Sequence, residues 1–157
     1  MNAYLTIKAI HILSSVVLVG TGFGTAFYLF FANRTGSVPV IAAVSRLVVR
    51  ADLWFTTPAG LLQPITGLWL AHTAGWPFST PWIVASVFLY LLAGVCWLPV
   101  VWLQLRLAAI ARHTEARSET RLPATYWHYA RTWELLGYPA FVAMVLVYFL
   151  MVLKPAL

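Results

Sequence analysis

Few side chains in this 157-residue sequence can do chemistry: four histidines, four acids and a single cysteine. His11 stands inside an apolar run (IKAIHILSSVVLVG), and His72 closes another, LLQPITGLWLAH. An ionisable ring among greasy neighbours is costly unless it has a task, and an imidazole's commonest task is metal ligation. Two imidazoles at one depth on adjacent helices would make the six-coordinate site of a b-type haem, with His11 and His72 as iron ligands. Their depths agree if the first helix enters the lipid near Ile10 with Lys8 snorkelling. They are staggered by roughly 10 Å if it enters at Tyr4. His72 lies between Trp69 and Trp76 and reads equally well as an interfacial anchor. His113 falls in a charged stretch and His128 among Tyr126, Trp127 and Tyr129, where neither has an evident ligand role. Cys96 has no second cysteine to pair with and reads as a small buried hydrophobe.

Arg50, Asp52, Arg131 and Glu134 form a second constellation. Arg131 and Glu134 are three apart on a helix and can pair directly, whereas Arg50 and Asp52 point in different directions and need partners on other helices. The plain reading is an interhelical clamp, with Arg46 or Arg50 as the bases. The sharper one has Arg50 and its neighbours holding the acidic groups of a bound cofactor. There is no CxxCH, no phosphate-binding glycine loop, no HExxH and no nucleophile elbow.

The elements that carry these residues must lie in lipid. Hydrophobic residues make up 62% of the chain and charged ones 9%, too apolar for a soluble core. Hydropathy gives four spans in one domain, at about 4–31, 50–72, 82–106 and 130–153. The fold class is therefore an all-α membrane protein, a bundle of four transmembrane helices. A signal peptide is the rival reading of the first span, but the apolar run continues to Phe31 without a cleavage site, so it is read as retained.

Within the first span, Ser15, Leu18, Gly22 and Thr25 share a face with His11, while Gly20 and Gly24 form a GxxxG pair on the other side. The second span carries Pro58 and Pro64, whose freed carbonyls need answering by Thr56, Thr57, Thr66 or a neighbouring helix, so it should pack against the first. Residues 32–50 read as a loop and an interfacial helix, and residues 106–122 as a solvated segment.

Eight arginines (Arg34, Arg46, Arg50, Arg106, Arg112, Arg117, Arg121 and Arg131) flank the first and third connections, against Lys8 and Lys154 on the other side. The positive-inside rule then puts both connections in the cytoplasm and both termini outside. The +6 net charge is topological and does not point to nucleic acid. Membrane lipid is the obligatory partner.

Two family resemblances bear on function. Lys8-Ala9-Ile10-His11, Thr57-Pro58-Ala59, Gly67-Leu68-Trp69-Leu70 and Lys154-Pro155 resemble the HemJ-type protoporphyrinogen oxidases, bacterial inner-membrane helical proteins that bind b-type haem. Gly137-Tyr138-Pro139-Ala140-Phe141 and the closing Leu150-Met151-Val152-Leu153-Lys154-Pro155 are similar to the final span of a bacterial family of small predicted integral membrane proteins of unassigned function. The resemblance implies a bacterial inner-membrane location, haem b as cofactor and His11 as its ligand. It does not carry the oxidase activity over. The lysine and histidine that the oxidases place in the third span align near Ser86 and Trp97, and that span holds neither residue type.

The sequence thus leads to two expectations. One is a haem- or porphyrin-binding bundle with an oxidoreductase role, if it is an enzyme at all. The other is a non-catalytic component that joins a second copy or a larger membrane complex through Gly20 and Gly24.

Overall fold

A computed structural model describes residues 2–155. They form α1 (Ala3–Thr35), α2 (Val38–Ala51), a π turn (Asp52–Thr56), α3 (Thr57–Thr73), α4 (Pro81–Ala116) and α5 (Ala124–Leu153). α2, the π turn and α3 follow one another without a break, so the chain is four antiparallel rods. α1, α4 and α5 are each long and apolar enough to cross a membrane. The second rod, in segments of 14, 5 and 17 residues, is as long as the 36-residue α4.

Turn chemistry sets the ends. Asn2 caps α1 by accepting from the Tyr4 N–H at 3.1 Å. Gly36, at φ 65°, stops α1 in the left-handed region, where a side chain would be strained. The connection that follows is much shorter than the sequence reading allowed. Residues 38–51 are not a separate interfacial helix but the first half of the second rod. α4 likewise runs on to Ala116 through part of the stretch expected to be solvated.

The rods pair unevenly. α1 packs along α2 and α3, α4 packs along α5, and the two pairs meet chiefly where α2 crosses α4. The well-packed core therefore lies at the arginine-rich end, around Leu29, Ile41, Ala42, Leu103, Leu107, Ala111 and Tyr126. There the Tyr126 hydroxyl donates to Asn33 Oδ1 at 2.7 Å, tying α5 to α1. Toward the other end the pairs diverge. Trp76 and Trp82 stand edge to face there, with Lys154 Nζ over both rings at 5.6 and 5.8 Å.

The proline in α3 is answered from across this gap. Pro64 lacks the N–H that would bond the Gly60 carbonyl, and the Tyr90 hydroxyl of α4 donates to that oxygen instead. The expected threonines are used elsewhere: Thr56 on the Asp52 carboxylate, Thr57 on the Asp52 carbonyl and Thr66 on the Leu62 carbonyl. Each donates only into its own preceding turn, which leaves the Gly60 oxygen to another helix.

Candidate functional site

Between the diverging helix pairs lies a cleft of about 910 Å³. Its walls are mostly apolar, among them Leu18, Phe23, Phe27, Leu91, Trp97 and Phe141. Polar groups collect at its deep end, toward the packed core: Asp52, Thr56, Gln104 and Glu134. Size and lining suit a ligand site, in which a few polar groups orient a largely apolar molecule.

Asp52 owes its position to the π turn. The Thr57 N–H reaches back to the Asp52 carbonyl, five residues away, and the Thr57 hydroxyl donates to the same oxygen at 2.8 Å. Such a turn adds one residue to the rod, and it is a frequent device at functional sites. Pro58 follows directly, in the first turn of α3. Asp52 is 6% exposed. Its Oδ1 accepts from Thr56 Oγ1 at 2.8 Å and from Thr25 Oγ1 of α1 at 3.4 Å, and the Gln104 amide of α4 approaches the carboxylate from a third side. Both threonine bonds fall on Oδ1, and the carboxylate lines the cleft wall.

A second polar layer joins α1 to α3 further along. His11 Nδ1 lies 2.7 Å from Thr66 Oγ1, and that hydroxyl has its own acceptor in the Leu62 carbonyl at 2.7 Å. With the threonine proton spent there, Nδ1 carries the donor hydrogen and Nε2 holds the lone pair. Gln63 Nε2 donates to the His11 carbonyl at 2.8 Å and to Ser14 Oγ. The half-buried ring turns its Cε1 edge to Gly67, where a Cβ would come within 3.1 Å of that atom.

The structure separates the residues singled out in the sequence. Leu18, Gly22 and Thr25, on His11's face of α1, do turn to the cleft and to Asp52. His11 itself touches α3 above the cleft. His72 is exposed and stacks on Phe78 with centroids 6.2 Å apart. Five residues beyond Gly67, it points about 140° away from the side that meets His11. Arg50 is sixteen positions before Thr66 on the same rod, roughly 24 Å from His11's level, too far to serve one ligand with it. Glu134 meets Arg34 at 3.7 Å, not Arg131, and Arg46 meets Glu115 at 3.0 Å, not Asp52. Gly20 and Gly24 touch nothing: a Cβ on either would find no described atom within 4 Å. No group of three His, Cys, Asp or Glu side chains stands together among the described residues.

The sequence reading passed over Gln63, Tyr90 and Gln104. A glutamine inside an apolar span was the available signal, because its amide must find partners in lipid.

Compared with known proteins, residues 5–155 match the profile of a family described as predicted integral membrane protein, DUF2269. No curated protein and no solved structure matches, so nothing here joins the chain to the protoporphyrinogen oxidases.

Proposed function

The chain belongs to the DUF2269 family of predicted integral membrane proteins, and from that premise we propose that it is an intramembrane binding protein. Its cleft takes a large, mainly apolar molecule from the bilayer and holds that molecule's hydrogen-bond-donating or cationic head on Asp52. One observation carries this reading: apolar walls enclosing about 910 Å³ end at a buried carboxylate whose two threonine bonds share one oxygen. An ionisable group in a membrane-spanning rod is a costly feature kept for ligands or relays, and here it lines the cleft between the helix pairs.

The test is titration of the detergent-solubilised protein with a fluorescent long-chain alkylammonium probe. Saturable binding is expected, weakened roughly ten- to hundredfold by Asp52→Asn, since a charge-assisted hydrogen bond contributes about 1.5–3 kcal/mol. Gly94→Phe should abolish binding by filling the cleft, because the Gly94 position is open and lines it. Binding unchanged in both variants rejects the proposal.

A second reading keeps haem b, and His11 favours it. A ligating histidine ordinarily donates its other ring N–H to a protein oxygen, which fixes the tautomer. The His11–Thr66 bond has that form, so His11 fits an axial ligand, whereas Arg50 does not fit as a partner for the same group. Haem would supply redox chemistry; the chain's part is to hold Nε2 as the donor atom and to orient the ring through Thr66 and Gly67. Reduced-minus-oxidised spectra of protein from haem-replete cells should show a b-type band that His11→Ala removes. A colourless preparation, unchanged by added haemin, rejects this reading while leaving the cleft untouched.

A further inference from the structure

A groove of about 340 Å³ lies between α2 and α4, lined by Arg46, Val49 and Arg50 of α2 and by Leu105, Ala108, Ala109 and Arg112 of α4. Three arginines from two helices line it. Arg46 is engaged by Glu115 at 3.0 Å, but Arg50 and Arg112 make no ion pair among the described residues, so the groove carries uncompensated positive charge. The small Ala108 and Ala109 leave the space open. Leu105 and Arg112 are separated by seven residues of helix, roughly 10 Å along the membrane normal. Leu105 stands beside Arg106, whose guanidinium lies over the Trp102 ring at 5.8 Å, an arrangement typical of the membrane interface. The groove therefore spans the headgroup layer, with an apolar edge toward the acyl chains and arginines toward water.

We propose that this groove is a site for an acidic phospholipid, whose phosphate lies between Arg50 and Arg112 while its chains run past Val49 and Leu105. Guanidinium forks match phosphate oxygens in geometry and stay charged at any physiological pH. The apolar edge is what selects a lipid over a free anion.

The experiment is lipid competition on the full chain in nanodiscs, reading retention of a labelled phosphatidylglycerol against phosphatidylcholine. Preference for the acidic lipid is expected. Arg50→Gln and Arg112→Gln should each weaken it about fivefold and together about 25-fold, at about 1 kcal/mol per arginine near an anionic surface. Arg121→Gln, in the α4–α5 connection, should leave it unchanged. The arginines are exposed, so the variants should melt as the parent does. Equal retention of the two lipids by the parent chain overturns the proposal without reference to any variant. Displacement of the label by millimolar inorganic phosphate assigns the site to a free anion and overturns the lipid assignment.

Discussion

Two polar layers tie α1 to the second rod, the second of them also reaching α4, and they differ in what they face. In the layer of His11, Ser14, Gln63 and Thr66, donors meet acceptors between helices already in contact, and the His11 Nε2 lone pair is the notable remainder. In the layer of Thr25, Asp52, Thr56 and Gln104, the donors gather on one carboxylate at the end of an open cleft. Both place polar groups in lipid. The first spends them on holding α1 to α3, while the second sets its carboxylate in the wall of the cleft. A place in the cleft wall is what distinguishes the second layer from the first.

The comparison can be broken in several ways. The largest effect should come from Asp52→Leu, which removes the receptive oxygen: probe binding should fall by at least the ten- to hundredfold expected of Asp52→Asn. Thermal stability should change little, because the desolvation relieved by removing a buried carboxyl offsets the hydrogen bonds that Thr56 and Gln104 lose. A marked loss of stability would make Asp52 a clamp and put the two layers in one class. Next, Tyr90→Phe should cost about 1–3 kcal/mol in detergent unfolding, since the Gly60 carbonyl next to Pro64 loses its donor. A neutral result would mean that water or another side chain answers that oxygen. Gln63→Leu should cost less, about 0.6 kcal/mol and at most about 1.7, the range for interhelical hydrogen bonds in membranes. Smallest of all, Gly20→Leu with Gly24→Leu should leave the melt within about 1 kcal/mol of the parent, as both positions are open. The same variant's mass in detergent then reports cleanly on association through that face.

Much of this was readable in order along the chain. Hydropathy gave the number of rods, though not the start of the second, and the arginines cluster at one end. The 100° periodicity placed Leu18, Gly22 and Thr25 on the face that does turn inward. The pairing of Asp52 was not readable, because its hydroxyl partner Thr25 is 27 residues away and its amide neighbour Gln104 comes from the far pair of helices. The separation of His11 from His72 was equally hidden. Matching depth brings two residues to one level of the bilayer but says nothing of which way each ring faces.

The sequence by itself determined that this chain crosses a membrane as helices, which end carries the positive charge, and that Pro58, Pro64 and Asp52 had to be accommodated within one rod. Those properties are local, summed over windows of residues against the cost of leaving backbone and charge in hydrocarbon. Only the tertiary structure decided that the helix pairs diverge, that Tyr90 rather than a nearby threonine answers the proline, and that Asp52 rather than a histidine faces the cleft. The π turn at Asp52 shifts the faces of everything after it by about 100°, and a helical wheel drawn through the rod without it cannot assign them.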